Sequence, residues 1–418
     1  MNNPWWMKAK IYEVYVDKFA GTFGGMIRRL DYIEKLGINC IWLLPHYPSP
    51  MVDDGYDVSD YRGVRQELGT LADFDAFIAA AHTRGIRVIV DLVLNHTSIE
   101  HPWFASARAS KESPYRNYYL WSDTRTELAG AINPMSHLKP SNWIFDQATG
   151  QYYFATFYPE QADLNWTNPE VEREMFAVAD FWLAHGVDGF RLDAVPFLGK
   201  REGTTCTNLP ETHAILRRLR AHLQSINPEA VLLAEANGTE SEVREYFGAG
   251  DECHLVFNFP LMLQTFLSLA RNDLKPLYNL AGKMQNLPPY CAWATFLTNH
   301  DSIDFILESE TDRQTLEKFL DPTSTFLTNH GTADAKRLGS IFSDKVRIIE
   351  AFKLLFSLPG VPVIYYGEEI GMQNASIQPP PQDKRRYVRG LFDWNLAQSQ
   401  MHDPNSIFIA VSHLLAKK

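Results

Sequence analysis

Four short segments of the chain place carboxylate or histidine side chains directly after apolar runs. The segment VDGFRLDAVPF, residues 187–197, reads as a buried strand that carries Arg191 and Asp193. Successive strand residues point to opposite faces, so these two side chains share one face. A neighbouring guanidinium lowers the pKa of an aspartate and keeps it charged, which predicts an ionised carboxylate available for chemistry. A buried structural ion pair is the alternative interpretation.

The other three segments end in the same way. They are DLVLNH with Asp91, Asn95 and His96, VLLAEAN with Glu235, and ATFLTNHDS with His300 and Asp301. A single histidine at a strand end is more often a hydrogen-bonded structural residue than a functional one. Carboxylates or histidines at four such ends instead predict paired carboxylates for acid–base chemistry, without an evident cage of metal ligands.

The elements that must position these residues follow a repeated order along the chain: a helix, a glycine and then a strand. Three amphipathic patterns end at Gly37, Gly85 and Gly186, and an apolar run follows each of them. The apolar faces of these helices are formed by Met26, Leu30 and Ile33, by Phe74, Phe77, Ile78 and Ala81, and by Val171, Met175, Val178 and Trp182. The pair Asn168-Pro169 is typical of a helix start. The repeated pattern predicts parallel βα units.

The number of strands selects between two α/β architectures. Further strands are expected to begin near Ile11, Val231, His254 and Ala292, and another lies in VPVIYYG. With about eight strands, the pattern favours a (β/α)₈ TIM barrel, whose active site lies at the carboxyl ends of the strands. An open, doubly wound sheet is the alternative.

One region breaks the rhythm. Residues 97–165 are rich in aromatic side chains and irregular, as in HPWF, NYYLW and YYFATFY. We interpret this region as a small domain inserted after the third strand. Residues 1–96 and 166–418 then form the barrel.

The composition excludes several classes of function. The net charge of −11 over 418 residues argues against a nucleic-acid partner or an anionic membrane. The four cysteines lie far apart, so neither a zinc site nor a disulfide framework is indicated. The sequence has no apolar run long enough to span a membrane and no signal-peptide pattern, so we expect a cytoplasmic protein. The oligomeric state stays open.

The four segments, in this order, resemble the signature regions of the α-amylase family, glycoside hydrolase family 13. QADLN, residues 161–165, resembles a further signature of that family. Loops such as NCIWLLPHYPSP, REGTTCTNLPETH and SLPGVPVIYYGEEIGM are similar to those of its trehalose synthase and α-glucosidase branch. This resemblance also implies a (β/α)₈ barrel with an insertion after the third strand.

The resemblance implies roles for the three carboxylates at the strand ends. Asp193 would be the nucleophile, and Glu235 would be the general acid and base, which requires a raised pKa. Asp301 would bind sugar hydroxyls and stabilise positive charge in the transition state.

The same resemblance implies a set of substrate-binding residues: Asp53, Tyr56, His96, Arg191, His300 and Arg389. In this reading Asp53 pairs with Arg389 and closes the pocket on a terminal glucose, while Tyr56 stacks on the sugar ring. Asp54 competes with Asp53 for this role, and the other arginines of KRRYVR compete with Arg389. The alanine after the nucleophile, residue 194, is similar to the choice made by members that prefer α-1,4 linkages.

Departures from the family pattern bear on cofactors and domains. VDKFAGTFGG stands where the branch often carries a cation-binding loop, so we expect no metal site and no cofactor. Asn95 matches an asparagine linked to calcium in some amylases, which leaves calcium conceivable but unsupported. The family's usual C-terminal β-sandwich is expected to be absent.

The activity implied by the resemblance is that of a retaining enzyme acting on small α-glucosides such as maltose. The acceptor decides among isomerisation to trehalose, hydrolysis by water, and transfer to another small alcohol. A non-catalytic, amylase-like binding protein is the rival interpretation.

Overall fold

Eight parallel strands form the centre of the molecule. The computed structural model describes residues 3–307 and 309–418; residues 1, 2 and 308, which the sequence interpretation assigned to the barrel, lie outside them. The barrel strands are β1 (Ile11–Val14), β2 (Cys40–Leu43), β3 (Arg87–Val93), β4 (Gly189–Asp193), β5 (Val231–Ala234), β6 (Leu255–Phe257), β7 (Ala292–Thr295) and β8 (Val361–Tyr365).

The sheet closes on itself in sequential order from β1 to β8. Ile11 of β1 pairs with Cys40 of β2 on one side and with Val363 of β8 on the other. Because the first and last strands are hydrogen-bonded neighbours, the (β/α)₈ barrel is confirmed and the open, doubly wound sheet is wrong.

Helices follow the strands and cover the barrel. They are α1 (Val16–Phe19), α2 (Phe23–Leu36), α3 (Leu71–Thr83), α4 (Pro102–Ala109), α5 (Pro169–Ala184), α6 (Pro210–Ile226), α7 (Glu240–Glu245), α8 (Phe259–Arg271), α9 (Lys275–Lys283), α10 (Glu310–Leu320), α11 (Leu338–Ile341), α12 (Lys345–Ser357), α13 (Trp394–His402) and α14 (Ile407–Leu415). Asn168 caps α5 by accepting a hydrogen bond from the Glu170 amide, as its position before proline predicts. The apolar faces expected for α2, α3 and α5 are all buried.

The strands are buried on both faces, as a helix-covered parallel barrel requires. β4 and β5 approach each other closely where Gly189 begins β4. A Cβ atom at this position would collide with the backbone carbonyl of Val231, so only glycine fits at the entrance to β4. At the other end of the two strands Leu192 pairs with Ala234, which brings the residues that follow, Asp193 and Glu235, side by side.

The region between β3 and β4 contains its own small sheets. Strands His96–Ser98 and Gln161–Asp163 pair antiparallel at its two ends, and a three-stranded antiparallel sheet lies between them with Trp121–Ser122, Trp143–Asp146 and Gln151–Phe154. The assignment of 97–165 as a separate inserted domain stays a prediction.

Another small sheet follows β7. The two-residue strands Ile303–Asp304, Ala333–Asp334 and Leu327–Thr328 pair antiparallel and contribute to the wall of the central cavity. Within the described part of the chain, no helix is long and apolar enough to cross a membrane.

Candidate active site

A cavity of about 700 Å³ opens among the loops that follow the barrel strands. Six of the nine residues predicted from the sequence form part of its wall: Asp53, Tyr56, His96, Asp193, Glu235 and Asp301. They follow five different strands, so the barrel brings together side chains that are up to 248 positions apart in the chain, from position 53 to position 301. The cavity is large enough for a small sugar substrate.

Arg191 organises the carboxylates at the floor of this cavity. Its Nη1 donates to Asp193 Oδ1 at 2.5 Å and to Asp91 Oδ1 at 2.6 Å, and its Nη2 lies 2.5 Å from Glu235 Oε1. Only 1% of the Arg191 side chain is exposed. Arg191 does not line the cavity, because the carboxylates surround its guanidinium, and its predicted contact with substrate stays a prediction.

The backbone after β4 also positions Glu235. Ala194 adopts a left-handed conformation with φ 47°, which is uncommon for a residue with a side chain. In this conformation its amide donates to Glu235 Oε2 at 2.9 Å. Glu235 is thus held by Arg191 on one oxygen and by the turn after Asp193 on the other. Strained backbone of this kind is often found at functional sites.

Burial dominates the pKa values of the two facing carboxylates. Burial raises the pKa of Asp193 to about 6, although Arg191 lowers it. The expected depressed pKa of Asp193 is wrong, because full desolvation and the charge of Asp91 outweigh the guanidinium. Burial likewise raises the pKa of Glu235 to about 7, with a further contribution from Asp193. The raised pKa predicted for a general acid is confirmed for Glu235.

Asp301 lies in the opposite electrostatic environment. Burial pushes its pKa up, but the positive charges of His300, Arg385 and Arg389 together hold the pKa well below its usual value. Asp301 Oδ1 accepts hydrogen bonds at 2.9 Å from both arginines. Asp301 therefore stays ionised while Glu235 keeps a proton at mildly acidic pH.

His300 lies behind the cavity wall. Its Nδ1 is 2.6 Å from Glu13 Oε1, and its Nε2 is 2.8 Å from the Tyr56 hydroxyl and 3.1 Å from Asp301 Oδ2. Burial lowers the pKa of His300, but Asp301 and Glu13 raise it to about 9 overall. The side chain is fully buried and contacts Tyr56 and Asp301, and the substrate contact expected of His300 stays a prediction. Its positive charge acts on Asp301.

A different arginine from the one expected pairs with Asp53. Arg385 Nη2 donates to Asp53 Oδ1 at 2.6 Å, and Arg385 lines the cavity. Arg389 Nη1 lies 3.7 Å from Asp53 and instead donates to Asp54 at 2.8 Å. Arg389 is thus within ion-pair distance of Asp53, as predicted, but Arg385 makes the shorter contact and is the arginine that lines the cavity. The turn at Lys384–Tyr387 directs Arg385 into the cavity and leaves Arg389 beneath it.

His96 and Tyr56 occupy the part of the wall expected for sugar contacts. His96 Nε2 donates to the Tyr56 carbonyl oxygen at 3.2 Å, which fixes the imidazole against the loop after β2. Burial lowers the pKa of His96, so its ring is neutral near pH 7. The Tyr56 ring stacks on His300 with 5.4 Å between the ring centroids.

A lysine occupies the surroundings of Asn95. Lys200 Nζ lies 2.9 Å from Asp163 Oδ2 and 3.0 Å from Asn95 Oδ1, and it also contacts the Phe197 carbonyl oxygen. The residues around Asn95 do not fit a calcium ion, because an ammonium group already holds the oxygens that would bind it. Among the described residues, no cluster of three or more histidine, cysteine, aspartate or glutamate side chains could hold a metal.

Sequence reasoning missed several polar residues of the cavity wall, among them Asn237, Asp304 and Asp383, and it considered Arg385 only as an alternative to Arg389 within KRRYVR. Asn237 stands two positions after Glu235, so its side chain emerges at the same strand end, and this spacing could have indicated it. The loop residues Asp304 and Asp383 have no periodic pattern around them that reports their orientation.

Comparison with known proteins agrees with this arrangement. The catalytic-domain model of the alpha-amylase family matches residues 9–322 and 310–407. The chain belongs to the α-amylase family. This result confirms the family resemblance, glycoside hydrolase family 13, on which the assignment of the strand-end carboxylates rests.

Members of the α-amylase family from several bacteria are similar to this chain. It is 45% identical over 385 residues to the trehalose synthase/amylase TreS of Mycobacterium tuberculosis, a match that covers 88% of this chain and 63% of that protein. It is 35% identical over 438 residues to the oligo-1,6-glucosidase of Heyndrickxia coagulans, covering 97% and 74%. The crystal structure of Bacillus licheniformis trehalose-6-phosphate hydrolase matches with a TM-score of 0.75 at 27% identity, covering 99% of this chain and 84% of that one.

Proposed function

We propose that this chain is a retaining enzyme that removes single glucosyl units from small α-glucosides such as maltose. The observation that carries the proposal is the shared guanidinium of Arg191, which holds Asp193 and Glu235 at 2.5 Å each. Retaining glycosidases keep their two carboxyl groups about 5–5.5 Å apart, whereas inverting enzymes keep them about 6.5–9.5 Å apart. Two carboxylates bound to one guanidinium suit the closer arrangement.

In the first step Asp193 attacks the anomeric carbon while Glu235 protonates the glycosidic oxygen. The bond between that carbon and that oxygen breaks, and a β-glucosyl ester forms on Asp193. Asp301, which stays ionised, binds sugar hydroxyls and stabilises the positive charge that develops on the ring. In the second step Glu235 takes a proton from an incoming hydroxyl, whose oxygen attacks the anomeric carbon and releases Asp193.

The identity of the incoming hydroxyl decides the product. Released glucose would give isomerisation of maltose to trehalose, water would give hydrolysis, and another small alcohol would give transfer. The similarity to proteins named trehalose synthase, at 42–45% identity, supports the first outcome. The similarity to an oligo-1,6-glucosidase at 35% identity supports the second.

Arg385, Asp53 and Asp301 support the restriction to chain ends. Arg385 bridges the two carboxylates at 2.6 Å and 2.9 Å, and this ion-paired group forms part of the cavity wall. A terminal glucose can place its hydroxyls against this group, while a longer chain cannot pass beyond it. We infer that the substrate enters with its non-reducing end towards Arg385.

Incubation of the protein with maltose, sucrose and trehalose, each followed by product analysis, tests the proposal. We expect glucose or a new disaccharide from at least one substrate and no product from an Asp193→Asn variant. Binding of these sugars without any product from the unmodified protein would instead support the rival, a non-catalytic binding protein.

A further inference from the structure

Inside the barrel, Glu13 is a buried carboxylate that has no part in the proposed reaction. It lies in β1, where successive side chains point to opposite faces. The neighbouring Tyr12 donates from its hydroxyl to Glu369, which also accepts from Tyr32 of α2, so that side of β1 faces the helices. The Glu13 side chain therefore points into the barrel, where it is fully buried.

One oxygen of Glu13 contacts His300. Glu13 Oε1 accepts a hydrogen bond from the His300 amide at 3.1 Å and lies 2.6 Å from His300 Nδ1. Glu13 Oε2 is buried and has no hydrogen-bond partner within residues 3–307 and 309–418. A buried charge that is left unpaired is costly, so a carboxylate in this position favours the protonated, positively charged form of the imidazole beside it.

The opposite edge of the same imidazole faces Asp301. His300 Nε2 lies 3.1 Å from Asp301 Oδ2 and 2.8 Å from the Tyr56 hydroxyl. Burial raises the pKa of Asp301, and among the neighbours that lower it His300 contributes most, ahead of Arg385 and Arg389. An imidazolium carries an N–H donor on each nitrogen, whereas a neutral imidazole carries only one. The charged form can therefore donate to the carboxylates on both of its sides.

Other ionisable groups are packed against His300 but do not replace Glu13. They include Tyr15, Tyr56, Asp91, Asp301 and Arg389. Burial raises the pKa values of both tyrosines well above their usual value, so they stay neutral. Arg389 donates to the His300 carbonyl oxygen at 2.9 Å, away from the ring. Among the described residues, Glu13 is the carboxylate that contacts Nδ1.

We propose that Glu13 is a positioning residue that keeps His300 in its imidazolium form and thereby holds Asp301 ionised and oriented. This inference rests on the proposed function, in which Asp301 binds sugar hydroxyls and stabilises the transition state. Glu13 does not line the cavity, so it acts through His300 rather than on the substrate. The structural alternative is that Glu13 only fixes the backbone at His300 through the amide hydrogen bond.

The charge of His300 can be measured directly. Nuclear magnetic resonance of protein with isotope-labelled histidine rings follows the titration of each imidazole, and the signal of His300 is the one that His300→Asn removes. In the unmodified protein His300 should keep its proton up to about pH 9. Glu13→Gln keeps the side-chain shape and an acceptor oxygen. In this variant the titration midpoint should fall by about 1–3 pH units, as expected when a contacting opposite charge is lost.

Two further variants separate the charge of Glu13 from its burial. Glu13→Asp keeps the negative charge at a greater distance and should give a midpoint between those of the unmodified protein and Glu13→Gln. Glu369→Gln alters an equally buried glutamate on the helix-facing side of β1 and should leave the midpoint unchanged. An unchanged midpoint in Glu13→Gln would overturn the inference, and so would an equal fall in Glu369→Gln.

The pH dependence of turnover tests whether this charge matters for the reaction. At low pH, where His300 is protonated in both proteins, kcat/KM for maltose in Glu13→Gln should match that of the unmodified protein. At higher pH it should fall about 10- to 100-fold below, the loss expected for a hydrogen bond to a charged group. The ratio of the two proteins cancels the fall caused by Glu235, which both contain. A loss that is the same at every pH would overturn the proposal in favour of the structural alternative.

A double variant shows whether Glu13 acts through His300. In the His300→Asn background, Glu13→Gln should lower kcat/KM by less than about twofold, because the imidazole through which it acts is absent. A full effect of Glu13→Gln in that background would overturn the inference. Failure of the unmodified protein to turn over any α-glucoside would overturn the proposed function, whereas a lowered midpoint in Glu13→Gln would still establish the link between Glu13 and His300.

Discussion

Arg191 places one positive charge among three buried carboxylates. Because one guanidinium cannot neutralise all three, their pKa values differ, and one can act as a base while another acts as an acid. Asp91, Asp193 and Glu235 each lie within 2.6 Å of the guanidinium. Burial raises the pKa values of Asp91 and Asp193 to about 6 and that of Glu235 to about 7. The last proton to leave as pH rises is therefore held by Glu235, the residue that must donate it. The cluster supplies a base and an acid from similar side chains.

These pKa values predict a narrow pH optimum for kcat/KM. Asp193 must be deprotonated to attack, so activity rises with pH through about 6. Glu235 must be protonated to donate, so activity falls above about 7. We expect a bell-shaped profile for maltose turnover with its maximum between these values.

A variant of Glu235 tests whether this residue causes the loss of activity at alkaline pH. In Glu235→Gln the remaining turnover of α-glucosyl fluoride, whose departure needs no proton, should lack the fall above about pH 7. A full alkaline limb in this variant would assign the acid role to another residue.

At the scale of elements, helices and strands can be predicted from the sequence more accurately than the contacts made by loop residues. The start of α5 follows from the residue pattern, because capping acts over a short stretch such as Asn168-Pro169. β4 is shorter than the predicted segment 187–197, since it covers only Gly189–Asp193 and Val195–Phe197 forms a helical turn. The partner of Asp53 does not follow, because Arg385 and Arg389 share one loop after β8. No periodicity distinguishes them, and only the turn at Lys384–Tyr387 shows which one reaches the cavity. The pKa of Asp193 was missed because desolvation depends on tertiary packing.

Lys200, in the loop after β4, connects to the segment between β3 and β4 through Asp163 and Asn95. Lys200→Ala would leave the fully buried Asp163 without its closest counter-charge, so we expect the free energy of unfolding to fall by about 3 kcal/mol. Urea denaturation followed by circular dichroism measures this change. Lys111→Ala, an exposed lysine of the same region, is the control and should change stability little. Equal effects of the two variants would show that the Lys200 contacts do not stabilise the protein.

The position of Lys200 also leads us to expect that chelators do not affect the activity. Because Lys200 supplies the positive charge near Asn95, activity of the unmodified protein on maltose should survive EDTA nearly unchanged. Activity that is lost in EDTA and restored by calcium would reveal a cation site that the lysine does not replace.

At the scale of the whole molecule, one cavity joins the loops that follow the barrel strands. Arg385 and Asp53 line one part of its wall, which in the proposed function closes on the terminal glucose, and residues of the loops after β5 and β7 line another part. The family model and the sequence motifs agree on the α-amylase family, and the observed barrel agrees with both. The chain spans 63% of the length of the trehalose synthase relative from Mycobacterium tuberculosis, so the activity of the whole protein is a proposal.

If Arg385 and Asp53 close the cavity, only substrates that present a terminal glucose should react. Arg385→Ala should lower kcat/KM for maltose by about 100-fold, because it removes the closest counter-charge of the buried Asp53. Arg386→Ala, the exposed neighbour, is the control and should retain activity. The unmodified protein should not cut soluble starch internally. Oligosaccharides released before glucose would contradict the closed end and indicate an endo-acting amylase.

The covalent intermediate on Asp193 is the central claim, and trapping it is the most direct measurement. A 5-fluoro-α-glucosyl fluoride forms the glucosyl ester but slows its breakdown, so mass spectrometry of the digested protein can locate the label. We predict one added fluoroglucosyl group on the peptide that contains Asp193, and none in Asp193→Asn. A label on another residue, or steady turnover with a β-configured first product and no label, would contradict the account.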